Sequence, residues 1–151
     1  MIEFHQVSKR FANGQIALDE VNLHIERGAM AFLAGHSGAG KSTLLRLTML
    51  LERASRGQVV VGGHNLARLP DTAIPLYRRH IGFVFQDHRL LAQRSVFDNV
   101  ALPLVVAGMT YPEVRRRVRA ALDQVGLLKK ERALPVTLSG GEQQRVGIAR
   151  A

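Results

Sequence analysis

The 151-residue chain contains no cysteine and no tryptophan. Without cysteine it has neither a disulfide framework nor a thiolate metal site, which fits a reducing compartment. Aromatic residues make up 5%, all of them Phe and Tyr, so there is little ring surface for stacking nucleic-acid bases. Acidic residues are scarce beside basic ones: 12 Asp and Glu against 21 Lys and Arg, a formal net charge of +9. Such a surplus attracts polyanions, whether nucleotides, nucleic acid or an anionic membrane face. It can equally be no more than a soluble, arginine-rich surface, and charge alone does not choose a partner. Long apolar runs are also missing. The uncharged run from Val100 to Met109 is too short to cross a bilayer and contains Pro103. The opening Met-Ile-Glu-Phe-His lacks the basic-then-apolar layout of a signal peptide.

What is present is ordinary for a folded domain. Apolar residues are 46% and charged residues 22%, which excludes intrinsic disorder and low-complexity architecture. Ile2, Phe4 and Gln6 alternate weakly with Glu3, His5 and Val7, the pattern of an edge strand. Val21, Leu23 and Ile25 alternate more clearly with polar neighbours, and Asn13-Gly14 between the two runs signals a hairpin-type turn. Met30 to Ala34 is continuously apolar and predicts a buried strand of a parallel sheet. Ser42 to Leu51 predicts a helix, and Gln58–Val61, closed by Gly62-Gly63, and Ile81–Phe85 predict two further strands.

The second half reads as helical. Ser95 caps a helix through Leu102 that Pro103 ends or bends, and Thr110 with Glu113 makes a capping box. Val114, Val118, Ala121, Leu122 and Val125 share one face of a helix that Gly126 terminates. Arg115, Arg116, Arg117 and Arg119 lie mostly off that face, as a solvated charge run does. The expected class is α/β, with a sheet core at 1–86 and 136–151 and a helical sub-region at 87–135.

Two segments carry chemistry. Gly35-His36-Ser37-Gly38-Ala39-Gly40-Lys41-Ser42 matches G-x-x-x-x-G-K-[ST]. Glycines let the backbone wrap phosphates so that successive N–H groups point inward, Lys41 sets a cation beside the β and γ phosphates, and the Ser42 hydroxyl can ligate Mg²⁺. A random chain of this length matches about once in two hundred, and here an apolar run precedes the loop and a predicted helix follows it. The second segment is Leu138-Ser139-Gly140-Gly141-Glu142-Gln143-Gln144-Arg145. Ser139 and Glu142 form a capping box, which many helices have. Two glycines at a helix start cost stability, however, and that cost is easier to understand where something approaches the backbone closely.

Together, GHSGAGKST and LSGGEQQR resemble the ATP-binding subunits of ABC transporters, and the likeness runs from Ile2 to Ala151. The resemblance implies a P-loop ATPase core with an N-terminal antiparallel β sub-region and a helical sub-region, binding ATP and Mg²⁺. Gly35 to Thr43 would hold the nucleotide. Phe11 stands where the family places an aromatic ring on adenine, although it also reads as a core Phe. Gln86 matches the family's Q-loop glutamine, near Mg²⁺ and attacking water. Ser139, Gly140 and Gly141 would close on the γ-phosphate bound to a second copy, in an ATP-dependent head-to-tail homodimer.

Segments such as Phe85-Gln86-Asp87-His88, Val96-Phe97-Asp98-Asn99-Val100 and Arg115-Arg116-Arg117-Val118 are similar to the bacterial cell-division branch of the family. That branch implies an integral membrane partner and the cytoplasmic face of the plasma membrane at the division site. The patch of Leu90, Leu91 and Val96 after Gln86 is a candidate surface for a helix of that partner, and the leucines read equally as core residues. Lipoprotein-release and macrolide-export ATPases are alternatives, and a nucleic-acid-handling ATPase is a more distant one. The family's next segment, an apolar strand ending in Asp-Glu, and its later switch histidine have no counterpart here. The expectation is a truncated chain that turns over little ATP.

Overall fold

The computed structural model describes all 151 residues, Met1–Ala151. Contacts divide them into two compact units, Met1–Arg78 and Arg79–Ala151.

The first unit is built on a four-stranded antiparallel sheet. Strands β1 (Ile2–Arg10), β2 (Ile16–Ile25), β3 (Arg56–Val61) and β4 (His64–Asn65) lie in the order β2-β1-β3-β4. The hairpin expected at Asn13-Gly14 is present: Gly14 N–H donates to the Phe11 carbonyl and Phe11 N–H to that of Gln15, both at 2.9 Å. β1 is a central strand, not the edge strand its weak alternation predicts. The reason is a bulge. The register slips between Phe4 and Val7, where Gln6 takes φ 47° and its N–H is caught at 2.9 Å by Asn22 Oδ1. The slip turns Val7 inward beside Phe4 and breaks the period of two. Gly57 lets β3 pass this kink, since a Cβ there would lie 2.3 Å from the Gln6 carbonyl oxygen.

Helix α1 (Lys41–Thr48) lays Leu44 and Leu47 into the same core as Phe4, Val7, Leu18, Val59 and Leu66. A short helix α2 (Ile74–Arg78) closes the unit. The Tyr77 hydroxyl donates to the Thr48 carbonyl, and Arg78 donates to those of Met49 and Leu50 at 3.0 and 2.7 Å.

Two predicted strands are not formed. Met30–Ala34 and Ile81–Phe85 belong to no ladder, and Met30 and Phe32 are 83% and 87% exposed instead of buried. A parallel strand takes its hydrogen bonds from strands far along the chain and is covered on both faces by helices. The 151 residues provide neither ladder with a partner.

The second unit is a helical cluster of α3 (Val96–Val106), α4 (Tyr111–Gln124) and α5 (Gly140–Arg150). Its core is Val96, Val100, Val114, Val118, Leu122, Leu127, Leu138 and Val146. The apolar face predicted for α4 is therefore the buried one, and Gly126 follows it at φ 71°. α3 does not end at Pro103 but continues to Val106, with Ala107 N–H bonding the Pro103 carbonyl at 2.9 Å. Packing of Leu104 against the core holds the turn beyond the proline. The capping box expected at Thr110 is absent: Thr110 makes no side-chain cap, and Glu113 pairs with Arg117 at 2.8 Å. No helix is long and apolar enough to cross a membrane.

Candidate functional site

In the first unit the glycine-rich loop runs into α1. Gly38 and Gly40 take left-handed angles, φ 84° and 85°. Gly40 is the N-cap of α1; its carbonyl accepts Leu44 N–H at 2.9 Å. A Cβ on Gly40 would sit 2.4 Å from the Ala17 carbonyl oxygen and 2.8 Å from Leu18 Cδ2, so β2 sets where the helix begins. α1 has no side-chain cap and no acidic residue in its first turn. The N–H groups of Lys41, Ser42 and Thr43, ahead of the first intrahelical bond, keep their partial positive charge for an incoming anion.

Lys41 is folded back over the loop. Its ammonium donates to the Gly35 and His36 carbonyls at 2.6 and 2.7 Å. His36 Nδ1 lies 2.7 Å from the Ser37 carbonyl oxygen, and Ala39 N–H closes a turn on the His36 carbonyl at 3.2 Å. The structure thus draws Gly35, His36, Ser37, Gly38, Ala39, Gly40 and Lys41 into one small ring of backbone with a cation across it. That donor set fits a polyphosphate: several N–H groups, one ammonium, the Ser42 hydroxyl, and no carboxylate. No group of three His, Cys, Asp or Glu residues could hold a metal on its own. Phe11 sits half-buried at the start of the β1–β2 loop, with the Lys9 ammonium 5.2 Å from its ring centre. A separate cleft of about 480 Å³ lies against the sheet by Ser8, Arg10, Glu20 and Ser55 and does not include the loop.

In the second unit Gln86 is exposed and opens a strained loop. His88 and Arg89 are consecutive left-handed residues, φ 55° and 45°, a conformation that non-glycine residues rarely adopt. The strain is held from α5: the Arg150 guanidinium donates to the His88 and Arg89 carbonyls at 2.6 and 2.8 Å. Burial lowers the Arg150 pKa from its usual value. The Arg89 guanidinium lies 4.4 Å from the Phe85 ring centre.

At the other end of α5 the predicted capping box is present. Glu142 N–H donates to Ser139 Oγ at 3.3 Å, and Ser139 N–H donates to Glu142 Oε2 at 3.0 Å. Lys130 adds a 2.6 Å ion pair to the other carboxylate oxygen. The Lys130 hydrogen bond, followed by that from the Ser139 N–H, holds the Glu142 carboxyl down at about 2. Nothing lies within 4 Å of where a Gly140 Cβ would be, so the backbone of this helix start is open.

One expected surface is corrected. Val96 is fully buried in the helical core and out of reach of a docking partner; Leu90 packs against the same core, and only Leu91 is substantially exposed. Four supporting residues escape sequence reasoning: Asn99, Lys130, Gln143 and Arg150. Asn99 is completely buried and ties down the segment before α3. It accepts from Leu91 N–H at 2.7 Å and donates to the Leu91, Arg94 and Ser95 carbonyls. Gln143 donates to the Pro135 and Leu138 carbonyls. Asn99, Gln143 and Arg150 bind backbone groups and Lys130 a carboxylate twelve residues on, pairings that leave no periodic trace in the sequence.

The ABC transporter family model matches residues 18–151. The cell division ATP-binding protein FtsE of Escherichia coli K12 is 56% identical over the whole chain, which covers 68% of that protein. The methionine import ATP-binding protein MetN of Aliivibrio fischeri is 48% identical over the whole chain, which covers 45% of it. Among solved structures, the dimeric ABC transporter cassette MJ0796 superposes with a TM-score of 0.93 at 36% identity, covering 99% of this chain and 68% of that one. A post-hydrolysis dimer of the same cassette, bound to ADP and Pi, superposes equally well.

Proposed function

The chain belongs to the ABC transporter family as an ATP-binding subunit, and on that premise we propose that it binds and hydrolyses ATP to drive a membrane partner of the cell-division type. The observation that carries the reading is the Lys41 ammonium poised over a loop whose last glycine starts α1. When ATP enters, Lys41 exchanges the Gly35 and His36 carbonyls for phosphate oxygens, and the first-turn N–H groups of α1 meet the same anion. Ser42 is the residue of this loop that would hold Mg²⁺, which supplies charge neutralisation at the phosphates. Phe11 offers its ring to the adenine. Ser139 and the open backbone at Gly140 and Gly141 then complete the site from a second copy, a reading supported by the dimeric relatives bound to ADP and Pi.

Titration of the chain with a fluorescent ATP analogue tests this. Saturable, Mg²⁺-dependent binding that Lys41→Ala weakens by at least about tenfold supports it; equal binding by the Lys41→Ala variant ends it.

The cell-division assignment is supported by the 56% identity to FtsE over the full chain. The partner would be an FtsX-like integral membrane protein, with the complex at the cytoplasmic face of the plasma membrane and at the division site. The 48% identity to a methionine import subunit favours import as the second reading. Purification from detergent-solubilised membranes of the source cell distinguishes the two by the membrane protein that accompanies the subunit in an ATP-dependent manner.

A further inference from the structure

We propose that the helical unit carries a binding cleft for an acidic peptide segment, formed where the start of α4 meets the segment before α5. The cleft measures about 340 Å³ and is lined by Ser95, Phe97, Tyr111, Arg115, Glu131 and Arg132. None of these residues belongs to the phosphate loop, the Gln86 loop or the Ser139 cap. The inference therefore stands apart from the ATPase reading.

Charge is the first argument. Several cations of this unit are engaged inside the chain: Arg89 with Asp87, Arg117 with Glu113, Arg119 with Glu131, Lys130 with Glu142, and Arg150 with two carbonyls. Arg115 and Arg132 have no hydrogen bond or ion pair within the chain, and both line the cleft. The nearby carboxylates do not neutralise them. Glu131 is turned to Arg119 at 3.5 Å, and Asp98 is held in the Ser95 cap at 2.7 Å.

The second argument is an aromatic residue out of place. α4 buries Val114, Val118 and Leu122, yet Tyr111, its first residue, is 71% exposed. Tyr111 and Phe97 both line the cleft, and Phe97 packs partly buried against the helical core. A large ring left in water beside two unpaired guanidinium groups is the composition of a recognition surface, since aromatic and arginine side chains dominate such contacts.

Shape and sign then select the ligand. A guanidinium fork matches a carboxylate bidentately, and the two rings receive an apolar or aromatic side chain. The cleft is concave and near the lower end of pocket sizes, roughly 300–1,000 Å³, so a flat bilayer does not enter it. The occupant of matching sign and shape is an extended segment of a partner protein with carboxylates on both sides of one apolar or aromatic residue, and single-stranded nucleic acid is the competing outcome of the test.

Fluorescence anisotropy with the full chain and a labelled heptapeptide, two glutamates on each side of a single phenylalanine, tests the site. Saturable binding is expected. The double variant Arg115→Gln, Arg132→Gln should weaken it by at least about tenfold, and Tyr111→Ala several-fold. Arg116→Gln, on α4 but outside the cleft, should change it by less than about twofold. All four side chains are exposed, so the variants keep the wild-type circular dichroism spectrum and the comparison is of binding alone. The proposal is overturned if the peptide does not saturate, if the double variant binds like the wild type, or if Arg116→Gln costs as much as the double change. It also falls if single-stranded oligonucleotide or phosphatidylserine vesicles bind more tightly than the peptide in a manner the double variant abolishes.

Discussion

The guanidinium of Arg150 donates to the carbonyl of His88 at 2.6 Å, joining two residues 62 positions apart. The same side chain holds the next carbonyl, that of Arg89, so one cation at the end of α5 fastens two strained residues just after Gln86. The other end of α5 is the Ser139 cap. A helix of 11 residues is thus fixed at both termini, one at the loop that follows Gln86 and the other at the Ser139 cap.

Replacing Arg150 with Ala removes both charge-assisted bonds and leaves two carbonyls without their donor. Stability should fall by about 2 kcal/mol, read as a lower urea midpoint. Amide exchange should rise across residues 86–91 in particular. Arg150→Lys, with a point charge in place of a fork, should recover only part of the loss. An unchanged midpoint for Arg150→Ala would show that the clamp holds nothing.

Gly38 and Gly40 share a left-handed backbone but differ in surroundings. Nothing lies within 4 Å of a Gly38 Cβ, whereas one on Gly40 meets the Ala17 carbonyl oxygen at 2.4 Å. Gly38→Ala should cost only the conformational strain, about 1–2 kcal/mol. Gly40→Ala adds a backbone clash and should cost clearly more, with the start of α1 disordered. Thermal melts of the two variants give the comparison, and equal losses would contradict it.

The Glu142 carboxyl titrates at about 2 in the folded chain, against 4.5 for the free group, chiefly because Lys130 hydrogen-bonds it. Between those values the unfolded chain binds more protons, so acid favours unfolding. The cap contributes fully above about pH 4.5 and is lost as pH falls toward 2. Glu142→Gln should be less stable than wild type at neutral pH, and the difference should narrow across that acid range. A difference that does not narrow on acidification would count against the capping role.

Asn99 is fully buried, and both its amide oxygen and its amide nitrogen are bonded to backbone groups of residues 91–95. Asn99→Leu leaves those groups unsatisfied and should cost about 3 kcal/mol or more. Proteolysis near Leu91 should accelerate well beyond what the same loss of stability elsewhere produces. Wild-type protease resistance in this variant would mean that the segment is held by something else.

The β-bulge shows why part of the fold was hidden. Ile2, Phe4 and Gln6 form a plausible face on paper, but the chain inserts one residue at Gln6, and Val7 becomes the buried neighbour of Phe4. The insertion is stabilised by Asn22, sixteen residues away, and by a glycine on β3. Met30–Ala34 errs in the opposite sense. Its apolar composition expresses a demand for partners on both faces, and composition cannot say whether the chain at hand meets that demand.

From sequence alone came whatever depends on neighbours a few residues apart: the glycine-rich loop that leads into α1, the Ser139–Glu142 cap, the hairpin at Asn13-Gly14 and the buried stripe of α4. Such features follow from local backbone geometry and helical period, which a contiguous string of side chains specifies. The tertiary structure alone decided the clamp from Arg150, the buried amide of Asn99, the Lys130 partner that depresses Glu142, and the cleft that Tyr111 and Arg132 both line. These join positions 4 to 62 residues apart, and their geometry exists only once the apolar stripes have packed and brought the partners within hydrogen-bonding reach.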